Sequence, residues 1–426
     1  MQNVKEFGAV GDGKTSDTVA IQRAIDAGGE VLFPPGTYKS GTLYLHSHTG
    51  LRFEPGAILI SGGEEEQWNV PDFCPQNRTS EKEKNNGRHL IVAYQCEDVS
   101  IQGGTIDGCY SHWLDEINPE NGFFKLKYRN GQMLFFCEST GIAITDVELY
   151  ESPYWCCFLH GCEQVNIRGV RIKNHRMTPN SDGIDLDCCR YVTVSDCRID
   201  AGDDAITLRA NAQPLKKQRH CEYVTVSNCI LSSPCQAVRI GVGGGVIRNC
   251  ILSNLVIHDT RTGIQLVSRY NPKSVGVTIE NIVCTDILME CRRPLAVLSD
   301  VHGPRDEEIK PIRGIVFRGI RAVADRSCFF EANRRGDITD LTLESVDVTC
   351  GGGDDIVDGK GLSYGEFGVK NSPAMFHLKH IEDCTFDRVR GRWSADASPL
   401  WKYGVWAEES EPIRMLDCRF DKENRM

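Results

Sequence analysis

The chain has 426 residues, a formal net charge of −11, and 40% hydrophobic and 25% charged residues. A chain of this length exceeds one ordinary globular core, so it forms either several domains or one elongated repeat domain. The acidic balance argues against nucleic acid as a partner, and no apolar run is long enough to cross a membrane. The first residues lack the pattern of a signal peptide, although a chain whose leader had been replaced by a methionine would look the same.

The chain contains 20 cysteines without the spacing of a small disulfide-stabilised domain. Cys197, Cys229 and Cys250 share one local pattern, in which Asp or Asn precedes the cysteine and Arg or Ile follows it. We expect a ladder of reduced, buried thiols, which predicts a reducing, cytoplasmic location. Disulfide pairing is the alternative. No cysteines have zinc-site spacing, so we predict no structural metal and no cofactor.

The N-terminal region, residues 1–60, is predicted to form a cap and the first coils of a repeat. Thr15–Asp17 precede an apolar-periodic run from Val19 to Ile25, and Gly28 follows, which indicates one short capped helix. Two later stretches, residues 62–88 and 108–131, break the repeat and are predicted to be long loops. Loops on a rigid scaffold tend to carry recognition.

Short alternating strands recur along the rest of the chain, and residues 140–426 are predicted to be repeated coils. Strands of this kind at a regular spacing of roughly 20–50 residues are typical of solenoids, because each coil buries its apolar face only against its neighbours. We therefore predict an all-β protein with one domain over residues 1–426. A propeller is a distant second. The copies begin at Val99, Ile142, Val165, Val192, Val224, Val246, Val277, Ile315, Leu341 and Cys384.

Two motifs, Pro179–Asp185 and Gly202–Ile206, carry the candidate chemistry. Asp182 and Asp203 lie 21 residues apart, about one coil, so they should stack on adjacent strands separated by about 4.8 Å. Asp204 would join them in one patch of carboxylates. We expect at least one of their pKa values to be raised by the like charges. An acid and a base side by side are what hydrolysis of a glycosidic bond requires.

Four further landmarks precede these motifs: Phe7–Asp17, Phe33–Tyr38, Gly104–Gly108 with Trp113, and Ser152–Trp155. Together with the aspartate motifs they resemble glycoside hydrolase family 28, the polygalacturonase-like family of the pectin-active β-helix superfamily. The landmarks end near residue 206, and the C-terminal third matches only by its strand repeat. The resemblance implies a single-stranded right-handed parallel β-helix and inverting hydrolysis of pectin-like polysaccharides of the cell wall.

The resemblance also implies roles for individual residues. Asp203 matches the general acid that protonates the leaving oxygen, and Asp182 with Asp204 matches the pair that activates water. Asn180 would hydrogen-bond a carboxylate or a sugar hydroxyl, and Gly202 would leave room for the sugar. An inverting enzyme needs about 6.5–9.5 Å between its acid and base carboxyl groups.

The chain departs from the family pattern at the position of three cations. Gln236 stands where the family has a histidine, and Gln265 and Val267 stand where it has arginine and lysine. Either the sugar bound there is neutral, or other cations hold its carboxylate. The candidate substrate-binding residues are Asn180, Arg209, Gln236, Arg239, Gln265 and Arg269. Arg209 also begins a basic stretch that contains Lys216, Lys217 and Arg219.

Aromatic residues and loops add expectations about the substrate. Trp113, Trp155 and Tyr270 could stack on sugar rings, although a core role is equally open for Trp155. We expect the long N-terminal loops to close one end of the groove, which would make the enzyme exo-acting on galacturonate- or rhamnogalacturonan-type chains. The sequence gives no indication of the oligomeric state.

Two alternatives to a hydrolase stay open. A polysaccharide lyase of the same fold would need calcium held by the aspartates and a base such as Arg209. A non-catalytic carbohydrate-binding β-helix would explain the lost histidine and cations, but it gives no reason to keep three mutually repelling aspartates.

Overall fold

The structure is a computed structural model that describes residues 1–71, 73–74, 76–77, 86–120, 122–127, 130–270, 273–302, 308–357 and 371–426. Contacts divide the chain into two compact units. The first unit comprises residues 1–206 and 212–219, and the second comprises residues 207–211 and 220–426. One domain over residues 1–426 stays a prediction.

Within the described residues, the first unit contains the helix α1 (Thr18–Asp26) and the 3-10 turns Val4–Phe7 and Tyr110–His112. Its strands are β1 Gln2–Asn3, β2 Asp12–Ser16, β3 Gly29–Phe33, β4 Gly36–Ser40, β5 Leu43–Tyr44, β6 Thr49–Phe53, β7 Ala57–Ser61, β8 Ile91–Tyr94, β9 Glu97–Gln102, β10 Thr105–Asp107, β11 Leu114–Ile117, β12 Phe124–Leu126, β13 Leu134–Cys137, β14 Thr140–Thr145, β15 Glu148–Tyr150, β16 Cys157–His160, β17 Glu163–Arg168, β18 Arg171–Lys173, β19 Ile184–Asp187, β20 Arg190–Ser195 and β21 Arg198–Asp200.

The strands of the second unit start with β22, whose first residue, Ile206, still belongs to the first unit. They are β22 Ile206–Ala210, β23 Cys221–Ser227, β24 Ile230–Ser232, β25 Gln236–Gly243, β26 Val246–Arg269, β27 Thr278–Asp300, β28 Ile312–Ala324, β29 Cys328–Glu331, β30 Ile338–Glu344, β31 Asp347–Cys350, β32 Ala374–Lys379, β33 Glu382–Asp387, β34 Arg390–Trp393, β35 Tyr403–Glu408, β36 Ile413–Leu416 and β37 Arg419–Phe420.

These strands form the parallel β-helix that the repeat predicted. In the first unit Ile142 of β14 pairs with Val99 of β9 on one side and with Val165 of β17 on the other, and Val165 pairs with Val192 of β20. All four side chains are buried, so successive coils share one core. Each coil gains its apolar contacts from the coils before and after it, as a solenoid requires.

The helix α1 lies where the sequence predicted it and buries Ile21, Ala24 and Ile25 completely. Asp17 occupies its N-cap position, but the carboxylate accepts hydrogen bonds from the amides of Val10 (2.6 Å) and Gly11 (3.0 Å) instead of capping the helix. Asp17 therefore connects the backbone at Val10 and Gly11 to the start of α1. Burial raises the pKa of this carboxyl.

The two predicted long loops differ in structure. The stretch 108–131 contains an antiparallel hairpin of β11 and β12 as well as a 3-10 turn. The alternation of apolar and polar residues in this stretch is too short to predict the two strands from the sequence. In the stretch 62–88, residues 72, 75 and 78–85 lie outside the described residues, as do residues 121, 128 and 129 of the other stretch.

Many coil corners share one backbone feature, a residue with positive φ. Cys197, Cys229 and Cys250 each follow an Asp or Asn whose φ lies between 55° and 57°. Each thiol donates a hydrogen bond to the carbonyl oxygen two residues earlier, at 3.1, 3.2 and 3.2 Å. Ser139 and Ser410 make the same bond with a hydroxyl, at 3.1 and 2.9 Å.

The expectation that the three cysteines form one ladder is corrected by the register. Cys250 pairs with Val224 of β23, and the side chain of Asn254 donates a hydrogen bond to that of Asn228 (2.8 Å). Cys229 and Cys250 therefore lie at different corners, because the similar sequences around them align with a shift of several residues. All 20 thiols are free, and all but Cys109 and Cys418 are buried. Burial raises the pKa of Cys250 to about 12.

No helix among the described residues combines the length and hydropathy of a membrane span.

Candidate active site

The two aspartate motifs lie side by side in the first unit. The amide of Gly183 donates to the carbonyl oxygen of Asp204 at 2.9 Å, and that of Ile184 donates to Ala205 at 3.0 Å. Asp182 therefore precedes β19 beside the Asp203–Asp204 pair, as the 21-residue spacing predicted. Asp182 is 3% exposed and Asp204 is fully buried, whereas Asp203 is half-buried. Asp203 is thus the carboxyl group most open to a substrate.

Asn180 contacts the proposed acid directly. Its backbone has a left-handed φ of 53°, and its side-chain Nδ2 lies 3.4 Å from Oδ2 of Asp203. Of the two roles expected for Asn180, contact with a carboxylate is the one that this geometry supports. An amide donor at this distance orients the carboxyl group.

The turn before Asp182 is fixed by buried hydrogen bonds that the sequence analysis missed. The Asn174 side chain accepts from the amide of Ser152 (3.1 Å) and donates to the carbonyl of Ser181 (3.0 Å). The Ser181 hydroxyl donates to the carbonyl of Thr178 (3.0 Å). An Asn within a loop gives no such signal, because its partners are set by the fold. These bonds hold the site in one conformation.

Gly202 serves coil packing rather than sugar access. Its φ lies outside the left-handed region, so it is not required for a turn. A Cβ atom at this position would overlap Oγ of Ser181 and the carbonyl oxygens of His175 and Thr178. The glycine therefore allows the Asp203–Asp204 turn to approach the preceding coil, which corrects the expectation that it leaves room for the sugar.

An aromatic cluster supports the loop that carries Asn180. The ring centroids of Tyr110, Phe124 and His175 lie 5.0–5.7 Å apart, and the amide of Phe124 donates to the carbonyl of Met177 at 2.9 Å. The hairpin of β11 and β12 thus packs on residues 175–177. One of the two predicted loops therefore forms a wall next to the candidate site.

Two of the three tryptophan or tyrosine residues proposed for stacking lie in the interior. Trp113 is fully buried and meets Trp68 edge-on at 5.6 Å. Trp155 is 3% exposed, stacks on Tyr154 at 4.8 Å and packs on Phe158 at 5.1 Å. Burial of this extent leaves no ring face for a sugar, so both residues have a core role. Tyr270, in the second unit, is 41% exposed.

In the second unit, Arg239 of β25 is half-buried and lies next to Gln265 of β26 in the strand register. Its guanidinium group lies over the ring of Tyr270, 4.0 Å from the centroid. Gln236 and Gln265 are 7% and 4% exposed. Arg209 is half-buried on β22. Arg239 and Tyr270 therefore present a cation and an aromatic ring together.

Arg269 and Val267 belong to the interior of the second unit. Arg269 is fully buried, and its Nε lies 2.9 Å from Oδ2 of Asp300. Because Arg269 is buried in this ion pair, its guanidinium group does not reach a substrate. Val267 packs in an apolar cluster with Ala296, Leu298, Val301 and Phe329. A lysine in place of Val267 would bring an ammonium group into this cluster, so the family's clamp cannot be restored there by substitution alone.

The basic stretch that follows Arg209 is paired with acidic and aromatic groups of the first unit. Arg219 lies 2.7 Å and Lys217 Nζ 3.9 Å from the carboxylate of Glu163. The ammonium group of Lys216 lies 5.3 Å from the ring centroid of Tyr94. These contacts attach the segment 212–219 to the strands that carry Glu163 and Tyr94.

Among the described residues, one group of side chains has metal-ligating atoms within 4.8 Å of one another: His160, Asp187 and Cys188, all buried. Imidazole and thiolate are not calcium ligands, so this group does not fit the ion that a lyase would use. The three candidate catalytic aspartates do not form such a group within the described residues. A compact all-carboxylate calcium site is therefore not found at the motifs in that part of the chain.

Comparison with known proteins places these features in a family. A family model described as glycosyl hydrolases family 28 matches residues 72–355, and one described as rhamnogalacturonase A/epimerase, pectate lyase-like, matches residues 1–52. A probable polygalacturonase of Vitis vinifera is 30% identical over 216 residues, which are 48% of this chain and 43% of that protein. The chain therefore spans less than half the length of that relative.

Two further similarities are to a streptococcal protein and to a solved structure. The plasmin and fibronectin-binding protein A of Streptococcus pneumoniae is 37% identical over 112 residues, 25% of this chain and 15% of that protein. The solved structure of the Yersinia enterocolitica family 28 exopolygalacturonase has a TM-score of 0.65 and 17% identity, covering 96% of this chain and 77% of that one, which shows the fold. Because the family 28 model matches more than half of the chain, the chain belongs to glycosyl hydrolase family 28.

Proposed function

We propose that the protein is an inverting glycosidase that cleaves pectin-like chains of the galacturonate or rhamnogalacturonan type. Family membership supports the reaction class. The observation that carries the proposal is the pairing of two coils, which sets the half-buried Asp203 beside the buried Asp182 and Asp204. An acid and a base side by side are what hydrolysis of a glycosidic bond requires.

The proposed mechanism uses one carboxyl group as acid and a pair as base. Asp203 donates its proton to the glycosidic oxygen as the bond from that oxygen to the anomeric carbon breaks. Asp182 and Asp204 accept a proton from the water that attacks the opposite face of the sugar. The proton lost by water replaces the one given to the leaving group, so the reaction is balanced. Asn180 holds the Asp203 carboxyl group in position.

We further propose that Arg239 and Tyr270 replace the missing cations of the family. An arginine binds a carboxylate through two parallel hydrogen bonds, and a ring beside it offers a face to the sugar. Their contact at 4.0 Å presents both features at one place. The substrate then retains a uronate, although Gln265 and Val267 supply no charge.

The test is an activity screen on pectic and neutral oligosaccharides with Asp203→Asn as the inactive variant. Loss of a general acid should lower turnover by about 10²–10⁴-fold without changing the thermal unfolding midpoint. Asp196→Asn, an exposed aspartate of the same unit, is the matched control and should stay active. Near-wild-type cleavage by Asp203→Asn would remove Asp203 from the role of acid.

Two other functions give different results in the same screen. A lyase would release products with ultraviolet absorbance from a new double bond, which hydrolysis does not. A carbohydrate-binding protein would bind sugar without cleaving it. Sugar binding with no product from any substrate would support it.

For location, we propose a reducing compartment, the cytoplasm. The support is the set of 20 free thiols. Detection of the native protein in the secreted fraction would contradict this.

A further inference from the structure

Three metal-ligating side chains meet at one corner of the first unit, apart from the candidate catalytic aspartates. His160 is the last residue of β16 and Asp187 the last residue of β19, and the two are neighbours in the strand register. Cys188 follows Asp187 at the corner. All three residues are buried, so the group lies beneath the surface of the unit.

The backbone directs these side chains toward one another. Register neighbours on adjacent parallel strands project to the same side of the sheet, so the imidazole of His160 and the carboxylate of Asp187 lie next to each other. Cys188 has a left-handed φ of 53°, which turns the chain after β19. Its sulfur and the ligand atoms of His160 and Asp187 all lie within 4.8 Å of one another.

The spacing of the three ligand atoms fits a zinc ion. Three atoms within 4.8 Å of one another share a central point that is at most about 2.8 Å from each of them. Zinc binds sulfur at about 2.3 Å, and histidine nitrogen or carboxylate oxygen at about 2.0–2.2 Å. Side-chain shifts of less than about 1 Å would therefore bring all three ligands to bonding distance.

The chemistry of the donors also fits zinc. Calcium and magnesium take oxygen ligands, whereas a set of thiolate, imidazole and carboxylate is typical of zinc. A Cys188 thiolate and the Asp187 carboxylate together carry two negative charges, which balance the charge of Zn²⁺. The Cys188 thiol loses its proton when the ion binds. All 20 cysteines of the chain are free, so the thiol is not held in a disulfide.

The segment 212–219 covers this corner. The amide of Gly161, the residue after His160, donates to the carbonyl of Asp187 at 2.8 Å, so Gly161 lies beside the corner. A Cβ atom at Gly161 would lie 2.8 Å from a methyl carbon of Leu215, which is 4% exposed. An apolar side chain at this place shields the corner from bulk solvent. Shielding strengthens the attraction between an ion and its charged ligands.

We propose that His160, Asp187 and Cys188 bind one zinc ion, which joins β16 to the corner after β19. A water molecule fills the fourth position of the tetrahedral ion. The ion stabilises the strand that begins two residues after Asp182, but it is independent of the proposed glycosidase function. The sequence pattern gives no signal of this site, because its ligands come from two coils and include one cysteine.

The first experiment measures the metal content of the full chain after purification without chelators. We expect about one zinc ion per chain in the wild type and fewer than about 0.1 in Cys188→Ser and His160→Gln. Cys189→Ser is the matched control and should retain the ion, because the buried thiol of Cys189 donates to the carbonyl of Leu159 at 3.2 Å. A wild type that contains no zinc, and takes up none when refolded with it, would overturn the proposal.

The second experiment refolds the protein from urea with Co²⁺, because tetrahedral cobalt absorbs visible light and a cobalt–thiolate bond adds a band in the near ultraviolet. We expect both signals in the wild type and in Cys189→Ser, and no thiolate band in Cys188→Ser. A thiolate band of equal strength in Cys188→Ser would show that other cysteines bind the cobalt, which would overturn the proposal.

Two further variants keep the test decisive if Cys188→Ser does not refold. Asp187→Asn and His160→Gln retain the thiol but each weaken one ligand. Each should bind Co²⁺ at least about tenfold more weakly than the wild type while keeping the thiolate band at saturating cobalt. Unchanged cobalt affinity in both variants would remove the metal site from this corner.

Discussion

At the scale of single residues, the proposed contact of Arg239 with a uronate carboxylate can be tested by substitution. Arg239→Gln should raise KM for oligogalacturonides about 10–100-fold, because a charge-assisted hydrogen bond contributes about 1.5–3 kcal/mol. Arg239→Lys should restore part of the loss, since a point charge attracts the carboxylate without the fork geometry. The measurement is steady-state kinetics on the free acid and on its methyl ester, which should respond little to either variant.

The control for this prediction is Arg248→Gln, which removes a half-buried arginine of the same unit that is paired with Glu222 at 2.7 Å. It should leave KM unchanged. If Arg239→Gln binds the free acid as well as the wild type does, the neutral-sugar interpretation of Gln265 and Val267 is correct instead.

The sequence placed the candidate catalytic residues better than the candidate binding residues. Asp182 and Asp203 could be placed together because a one-coil spacing determines which residues stack. The environments of Arg239 and Arg269 could not be distinguished, because the sequence shows each only as an arginine close to a departure from the family pattern. Only the packing shows that Arg269 forms an ion pair with Asp300, whereas the guanidinium group of Arg239 lies over the ring of the exposed Tyr270.

At the scale of elements, the corner hydrogen bond predicts how cysteine substitutions rank. At Cys229 the thiol donates to the carbonyl of Ser227 at 3.2 Å. Cys229→Ser keeps this bond, whereas Cys229→Ala loses it and leaves a small void, so Ser should be more stable than Ala by about 1 kcal/mol. Urea unfolding of the two variants measures the difference.

Cys284 provides the matched control for that ranking. It is fully buried between Leu252 and Phe317 in the strand register, and its sulfur makes no hydrogen bond within the described residues. There a serine hydroxyl would be buried without a partner, and Ala should be the more stable variant. The same order at both positions would show that the corner bond contributes nothing.

The strands themselves follow from the sequence, because alternation and β-branched residues repeat at each coil. Register was harder to predict. The similar sequences around Cys229 and Cys250 suggested one slot, but pairing of Cys250 with Val224 places them at different corners. The hairpin of β11 and β12 was missed because it belongs to no repeat.

At the scale of the whole molecule, buried His89 makes unfolding depend on pH. Burial lowers its pKa to about 3 in the folded protein, against about 6.5 in an unfolded chain. Between these values the unfolded chain binds more protons, so this residue's contribution to stability is present above pH 6.5 and is lost as pH falls toward 3. The free energy of unfolding, measured by urea titration from pH 7 to pH 4, should fall by up to about 1.4 kcal/mol per pH unit because of this residue.

His89→Gln should unfold more easily at pH 7 and show a shallower dependence on pH over this range. The exposed His112→Gln should retain the wild-type slope. Equal slopes in the wild type and His89→Gln would show that His89 is protonated in the folded protein.

The segment that contains Phe73, Cys74 and Gln76 could be predicted only as part of an irregular stretch with a role in recognition. Phe73 and Cys74 pack in one cluster with Phe135 and Phe158, which lie far away in the sequence and follow no period. The repeat determines the coils from local patterns, but it does not contain the information that would place an insertion on one face of them.

The candidate catalytic carboxylates and the segment that contains Phe73, Cys74 and Gln76 come from different kinds of sequence. The carboxylates lie on coils whose spacing is fixed by the stack, whereas this segment belongs to an insertion between β7 and β8. Such an insertion can change in sequence or length without changing the one-coil spacing that brings Asp182 beside Asp203 and Asp204.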